Sequence, residues 1–363
     1  MKAVAVFFPG HEVKVIDVPE PRIGSATQVR VRSLEIGVCG TDREIIQGKH
    51  GRPPTGEDHL IVGHEALGEV VEVGAEVKHL RPGDLVVPQV RRPCPRPDCA
   101  PCRADHSDFC TTGEYTERGI HGAHGFCAEF FVEEAHALHR VPPELRPVAV
   151  LTEPLTIAEK ALRQVLLIQR RVPGERSSPG QAVVLGAGPV GLLGAMTLMR
   201  AGFHTLVYSR SPKPNFHAEW AEALGAPYVS SKEHAVEVLV KRHGRADVVY
   251  EAAGVASVAF GLLSALAPNG VFVLTGVPGN EEATLEQGAL MKQMVLHNQV
   301  LLGTVNAAAE DFVAAVADLA RFRERWPGEV EKLVTARHPP EEYAQVVSGE
   351  GSGVKDVIVF SQG

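Results

Sequence analysis

Leu185-Gly186-Ala187-Gly188-Pro189-Val190-Gly191 stands between a strand-like run at 182–185 and a helix-like run at 190–200. In that setting each glycine has a physical task. The first permits a tight turn, the second lets backbone come close to a pyrophosphate, and the third lets the helix pack closely on the strand. The helix amino terminus faces the phosphate charge, and Pro189 suits a first helical turn, where an N–H has no partner to lose. Alone, the motif reads equally well as a plain glycine turn. The pattern around it decides. Strand-like runs at 205–209, 227–229, 247–250, 270–275 and 299–302 alternate with helical runs at 218–224, 233–243, 255–266 and 286–296. This alternation predicts βαβ units and a doubly wound parallel sheet, an α/β domain that binds a dinucleotide.

The strand after the glycines bears on which dinucleotide. A carboxylate roughly 20 residues on would take the ribose hydroxyls of NAD. Here the strand ends Val207-Tyr208-Ser209-Arg210-Ser211-Pro212-Lys213, with no acidic residue. Small hydroxyls beside Arg210 and Lys213 suit a 2′-phosphate, so NADP is expected. Use of NAD as well is the alternative, in which Arg210 is only a solvated loop charge.

Upstream, residues 1–150 show short β-like runs at 3–8, 13–18, 28–36, 66–73, 84–90 and 126–132, broken by Gly and Pro. Alternation such as Val29-Arg30-Val31-Arg32 reads as half-buried strand, so this is a β-rich domain. A helix over 151–169 follows, then a breaker segment from Arg171 to Gly180. The tail beyond Asn306 carries a helix at 307–325 and strand-like runs at 331–335 and 354–360. It is short for a third domain and is expected to pack back on the first. The expected division is 1–152, 153–304 and 305–363.

Within the first domain Cys94, Cys99, Cys102 and Cys110 fall in one Pro- and Asp-rich stretch, about 92–112, with no apolar periodicity. Such a segment cannot bury enough surface to order itself, so a cross-link must hold it. Tetrahedral zinc on four thiolates is the reading, with Cys99-x-x-Cys102 as the two-ligand turn. Two disulfides in a secreted chain are the alternative, disfavoured because the apolar run at the amino terminus is short for a signal peptide. A closed site of this kind holds a lobe together without catalysing.

A second constellation is spread along the chain: Gly37-Val38-Cys39-Gly40-Thr41-Asp42, Gly63-His64-Glu65-Ala66-Leu67-Gly68 and Thr152-Glu153-Pro154-Leu155. One thiolate, one imidazole and one or two carboxylates bind zinc and leave a coordination position open, as a catalytic site needs. Singly, each residue reads as core or as a satisfied polar group. The totals agree with an ordinary soluble globular protein of two domains: 363 residues, 44% hydrophobic, 22% charged and a net charge of −8. An acidic balance argues against nucleic acid or an anionic membrane surface as partner, and no run approaches a membrane span. Clustered thiols suit the reducing cytoplasm.

In this order the Cys-Gly-Thr-Asp at 39–42, Gly63-His64-Glu65-x-x-Gly68, the four-cysteine lobe and the Gly-x-Gly-x-x-Gly resemble the zinc-containing medium-chain alcohol dehydrogenases over essentially the whole chain. The likeness is closest to their archaeal-type glucose dehydrogenases, through 86–94, 108–120, Thr152-Glu153-Pro154-Leu155 and 297–307. The resemblance implies a GroES-like β-rich catalytic domain joined to a Rossmann domain. It implies one catalytic and one structural zinc, and oxidation of an aldose to its lactone with hydride transfer to NADP or NAD. Cys39, His64, Glu65 and Glu153 match the catalytic-zinc positions, and Thr41 matches the hydroxyl that passes the proton outward. Thr41, Glu114, Glu153, His297 and Asn306, with Gln89, match sugar-binding positions. Gly186, Gly188, Pro189, Val190, Gly191, Ser209, Arg210, Ser211, Gly276, Val277, Pro278, Thr304, Val305 and Asn306 match cofactor contacts.

The resemblance also implies a homo-oligomer, a dimer or tetramer through the last sheet strand and the zinc lobe. Two departures stand out. The lobe reads Cys-x4-Cys-x2-Cys-x7-Cys, with a longer first turn than the usual spacing, and Ser209-Arg210-Ser211 replaces the frequent Asn-Arg-Arg. Cys127, His121 and His124 match no role and are expected to pack in core or loop. The rival readings are a polyol or threonine dehydrogenase of the same fold, and a non-catalytic nucleotide-binding protein.

Overall fold

The strand Gln28–Gly37 is the spine of the first of two units in the computed structural model, which describes residues 1–174, 180–279, 284–349 and 353–360. Its first half alternates inward Val29 and Val31 with outward Arg30 and Arg32, as the sequence pattern requires; from Ser33 onward every residue is buried. The change follows a change of neighbour. Phe130–Glu134 pairs with its first half, and Lys355–Val359 with its last three residues, while Glu65–Val73 runs antiparallel along its other edge. Leu85–Pro88, Leu138–Val141 and Val334–His338 complete a seven-stranded sheet, and Lys2–Phe7, Glu12–Asp17 and His59–Ile61 form a second, smaller one. Their apolar faces enclose the core, with Val31, Ile36, Leu60, Val70, Val86, Phe126 and Phe131 at its centre.

This unit comprises Met1–Thr156 and Asn306–Gly363; the second comprises Ile157–Val305. The division therefore falls inside the helix Thr152–Gln169, slightly later than the sequence suggests, and leaves Glu153 with the first unit. The tail is tied to the first unit by buried charge and aromatic contacts. Glu35 accepts hydrogen bonds from Arg337 at 3.0 Å and pairs with Arg146 at 2.9 Å. On the helix Ala309–Arg325, Phe312, Ala315, Leu319 and Phe322 recur at three- and four-residue steps, and this one face is buried. Phe312 stacks on His139 with centroids 4.9 Å apart.

The second unit is a six-stranded, wholly parallel sheet in the order Tyr228–Ser230, His204–Ser209, Gln181–Leu185, Ala246–Glu251, Leu266–Leu274, Val300–Gly303. Numbered along the chain this is 3-2-1-4-5-6, the doubly wound order whose switch point lies beside the first strand. The helix Pro189–Arg200 packs hard against the sheet: a Cβ on Gly194 would lie 2.2 Å from the Tyr250 ring.

Several boundaries differ from the sequence expectation. The helix foreseen over 255–266 stops at Leu262, and strand begins at Leu266 instead of Gly270, because parallel pairing to Ala246 claims that residue. Residues 331–333 form a 3-10 turn, and strand starts only where Val334 pairs with Lys355. The run at 126–132 becomes the strand Phe130–Glu134. His59–Ile61, Leu138–Val141 and the helix Gly40–Ile46 had no sequence signal of their own. Residues 175–179 of the breaker segment lie outside the described residues.

Candidate metal centres and cofactor site

Cys39 begins its site by capping a helix. Its Sγ accepts the Thr41 amide at 3.2 Å, and its own N–H donates to Asp42 Oδ2 at 2.9 Å, a reciprocal cap that fixes the thiol at the start of Gly40–Ile46. His64 is delivered by a turn at Gly63, where φ is +83° and a Cβ would lie 2.7 Å from Ile36 Cγ2. Only glycine meets both conditions. His64 Nε2 then lies 3.0 Å from Cys39 Sγ, while Nδ1 faces Asp42 Oδ1 at 3.7 Å. Asp42 is wholly buried, and its Oδ1 and His64 Nδ1 face each other as a charge contact, neither atom having a hydrogen-bond partner among the described residues. Glu65 starts the next strand, opposite Gly37 in register. Ligand atoms of Cys39, His64 and Glu65 all lie within 4.8 Å of one another. One sulfur, one imidazole and one carboxylate suit zinc and leave a fourth position for substrate.

Sequence reasoning missed the partner of this carboxylate. Lys355, 1% exposed on the strand Lys355–Val359, donates to Glu65 Oε2 and, at 3.1 Å, to the Val38 carbonyl. Its ammonium is costly to bury, but the charges of Glu65 and Cys39 outweigh that and raise its pKa. Burial likewise disfavours the His64 imidazolium, yet the Cys39 and Asp42 charges carry its pKa well above the usual histidine value. Glu153 stands outside the three-residue ligand group but within its field. Burial, opposed by His64 and reinforced by Glu65, pushes its carboxyl up to about 7. Thr41 is half-buried beside the thiol that its amide holds.

The four-cysteine lobe forms a second group, its Sγ atoms within 4.8 Å of one another. Cys99 and Cys110 Sγ are 4.0 Å apart, close to the roughly 3.8 Å that tetrahedral zinc with ~2.3 Å bonds imposes and far from the ~2.05 Å of a disulfide. The N–H groups of Thr111 and Cys102 lower the Cys99 thiol to about 6, whereas burial pushes Cys102 up to about 12. Four crowded thiols cannot all ionise by themselves, and a dication removes that conflict. The donor set fits structural zinc. A third group, Glu57, His59 and His124, does not fit an ion. His124 Nδ1 accepts the Ile61 amide at 3.1 Å, which puts the ring proton on Nε2, 2.8 Å from Glu57, and leaves no lone pair for a metal. Cys127 is fully buried in the main core, and His121 packs near Tyr115.

The remaining predicted sugar positions have partners of their own. Asn306, at φ +59°, donates to Glu117 Oε1 at 2.8 Å, and Glu117 is clamped by Arg91 at 2.9 and 3.1 Å. Gln89 donates to His139 Nε2 at 2.9 Å. Glu114 is exposed, with Arg96 3.8 Å away. His297 follows the helix Gln287–Leu296 in the second unit, its Nδ1 2.9 Å from the Gln293 carbonyl.

In the second unit, Gly186 takes φ +106°, and a Cβ on Gly191 would lie 2.3 Å from the Gly186 carbonyl, so the turn and helix interlock as the motif requires. Gly188 caps Pro189–Arg200 in extended conformation, and a Cβ there would meet nothing within 4 Å. Its face is open to a ligand. The Ser209-Arg210-Ser211 turn is pinned through its backbone: Ser230 donates to the Arg210 carbonyl at 3.1 Å and Tyr228 to that of Ser211 at 2.8 Å. Lys213 is paired with Glu222. Val305 offers its carbonyl to buried Lys160 at 2.8 Å. Glu251, also missed from sequence, accepts the amides of Ala253 and Gly254, both at 2.7 Å, and of Gly276 at 3.1 Å. It thereby ties the turn after one strand to the loop that carries Gly276, Val277 and Pro278.

Comparison with known proteins bears on both units. Residues 25–143 match the alcohol dehydrogenase GroES-like domain and residues 146–360 match the glucose dehydrogenase C-terminus. Glucose 1-dehydrogenase of Methanocella arvoryzae is 39% identical over 361 residues, 99% of each chain. That of Thermoproteus tenax is 40% identical over 363, again 99% of each. The structure of Haloferax mediterranei glucose dehydrogenase in complex with NADP, Zn and gluconolactone aligns with a TM-score of 0.90 at 37% identity, covering 100% of both chains.

Proposed function

We propose, since the chain belongs to the glucose dehydrogenase family of the GroES-like, zinc-type alcohol dehydrogenases, that it oxidises D-glucose at the anomeric carbon to the lactone with reduction of NADP. The observation that carries the reading is the convergence of Cys39 with the adjacent pair His64 and Glu65, two separate stretches of chain, on one largely buried point that leaves a ligand position free. Zinc bound there supplies a Lewis acid that lowers the pKa of a sugar hydroxyl toward neutrality. Cys39 and His64 would hold the metal, with the buried Asp42 carboxylate beside the ring of His64. Glu65 offers a ligand atom to the centre, and Glu153, whose carboxyl burial pushes up to about 7, lies in the field of His64 and Glu65 as a second carboxylate for the site. Thr41 passes the hydroxyl proton outward. Loss of that proton and of the C1 hydride leaves the lactone.

Gly186, Gly188 and Gly191 bring backbone to the pyrophosphate. Arg210 meets the 2′-phosphate, which favours NADP, with NAD a weaker acceptor. Glu114, Gln89, His297 and Asn306 are sugar-binding positions by family likeness. In Asn306 and Gln89 the amide is already directed by Glu117 and His139, so these side chains present a fixed face to the hydroxyls. Cys94, Cys99, Cys102 and Cys110 hold structural zinc. An oligomer through the sheet edge Val300–Gly303 is supported by that edge, unpaired among the described residues, and by exposed Met291, Val295 and Leu296 beside it in sequence. Six unpaired cysteines suit the reducing cytoplasm.

Initial rates of cofactor reduction by the zinc-loaded protein test the reading, with NADP and NAD in turn against glucose, galactose, xylose, sorbitol, threonine and ethanol. Fast reduction with an aldose is expected. Turnover confined to sorbitol or threonine overturns the sugar assignment and keeps the fold.

A further inference from the structure

Glu251 is a buried carboxylate at the point where three strands end together. It closes Ala246–Glu251, with Leu185 beside it in register on one side and Leu274 on the other, each the last residue of its own strand. This is the switch point of the 3-2-1-4-5-6 order, and ligands of doubly wound sheets bind outside the carboxyl ends there. A glutamate that is 1% exposed is costly unless its charge is answered. Backbone amides answer it. Ala253 and Gly254 donate to Oε1, both at 2.7 Å, and Gly276 donates to Oε2 at 3.1 Å. The main-chain carbonyl of the same residue accepts the Thr275 amide at 3.0 Å and the Thr275 hydroxyl at 2.7 Å. One residue thus grips two loops, with its carboxylate and with its carbonyl.

The two loops also interlock directly. A Cβ on Gly276 would lie 2.3 Å from the Gly254 nitrogen and 2.8 Å from Glu251 Oε2, and one on Gly254, at φ +64°, would lie 2.8 Å from the Val277 carbonyl oxygen. The turn at 252–254 rests in turn on the glycine motif. Ala252 donates its amide to the Leu185 carbonyl at 2.9 Å, and a Cβ on Gly186 would meet the Ala252 carbonyl at 3.2 Å. Beyond these contacts Val277 stands 69% exposed, a free face at the end of the assembly.

In a doubly wound sheet the strands that carry the glycine motif and the Ser209–Ser211 turn take the adenosine half of a dinucleotide, and the strands beyond the switch point take the nicotinamide half. Glu251 stands on that second side. We infer that Glu251 is a positioning residue for the nicotinamide half of the cofactor: through the amides it holds, it fixes the backbone of residues 275–278 against the glycine motif. The inference rests on the dinucleotide reading of Gly186–Gly191. Glu251→Gln keeps the size of the side chain but presents an NH2 group where one loop needs an acceptor, so the two loops are no longer held together.

Calorimetric titration of the zinc-loaded protein with NADP, and with 2′,5′-ADP as the adenosine half alone, tests this. Glu251→Gln is expected to weaken NADP by about tenfold or more, the scale of a lost charge-assisted hydrogen bond, while 2′,5′-ADP changes by less than about twofold. Equal weakening of both ligands would make Glu251 a general support of the fold, and unchanged NADP binding would mean that the loops hold without it; either result overturns the inference. If that variant does not fold, Gly276→Ala, which drives the loops apart with Glu251 in place, carries the same expectation. A wild-type protein that binds neither ligand refutes the dinucleotide reading itself, a distinct outcome that removes the premise.

Discussion

Gly37→Ala places a methyl where the structure has room for none. Its carbon would lie 2.2 Å from Glu65 Oε2, 3.1 Å from Glu65 Cβ and 3.3 Å from Glu65 Cδ. Backbone cannot yield, because Gly37 is paired on both sides, to Glu65 and to Val357. The carboxylate must move, and moving it separates Glu65 from Lys355, a pair whose side chains are 3% and 1% exposed. Leaving one member of a buried ion pair without its partner costs about 3–5 kcal/mol. The reduced entropy of the unfolded chain returns about 0.4–1 kcal/mol of that. For a unit of 150–250 residues each kcal/mol lowers Tm by about 2–4 °C, so a fall on the order of 4–18 °C is expected. Differential scanning calorimetry measures it, with zinc content followed in parallel. Gly10→Ala, where a Cβ would meet nothing within 4 Å, is the control and should shift Tm by less than about 2 °C. A Gly37→Ala protein as stable as that control would refute the steric argument and with it the account of how Glu65 is held.

Cys39→Ala and His64→Ala should each abolish turnover while cofactor binding, followed by quenching of intrinsic fluorescence, is retained; turnover within tenfold of wild type would remove the metal centre from the mechanism. Arg210→Ala should raise the KM for NADP about 10- to 100-fold, as loss of a charge-assisted hydrogen bond of about 1.5–3 kcal/mol implies, and leave the KM for NAD unchanged. Equal changes for both cofactors would mean that Arg210 does not read the phosphate. Glu133 is buried between Arg92 and Arg118; burial opposes its ionisation, but the two guanidiniums win and its pKa is lowered. Its stabilisation is therefore present above the unfolded pKa of about 4.3 and is lost as pH falls through the lower folded value. Urea midpoints between pH 2 and pH 7 should show this acid-side loss in wild type and a flatter curve in Glu133→Gln, which should also be less stable at pH 7; parallel curves would contradict it.

The α/β unit was largely legible in the chain because its information is local. A glycine motif between a strand-like and a helix-like run, then regular alternation, specifies βαβ units and a doubly wound sheet, while the 3-2-1-4-5-6 order was settled by strand pairing. The grouping of the four cysteines was legible for the same reason, all four thiols lying within one short segment. Cys39, His64 and Glu65 were candidate metal ligands by residue type and family likeness. Nothing in the spacing says that a capping cysteine and the His64-Glu65 pair, set between a φ +83° glycine and the start of a strand, arrive at one point.

That convergence, and everything that depends on it, was decided by tertiary pairing. Short strands such as His59–Ile61 and Leu138–Val141 exist because a neighbour supplies their hydrogen bonds, so they carry too little periodicity to announce themselves. Lys355 reads in the chain as an ordinary lysine opening the last strand, and Glu251 as an acid closing another. Each becomes part of a site only when the fold removes water from it and brings a partner from far along the chain: Glu65 for the lysine, the Gly276 amide for the glutamate. Sequence by itself determined which chemistries were available and which segments wind into a sheet. The register of strands distant in sequence determined which charges are buried together, because only burial makes an unpaired charge costly enough to specify its neighbour.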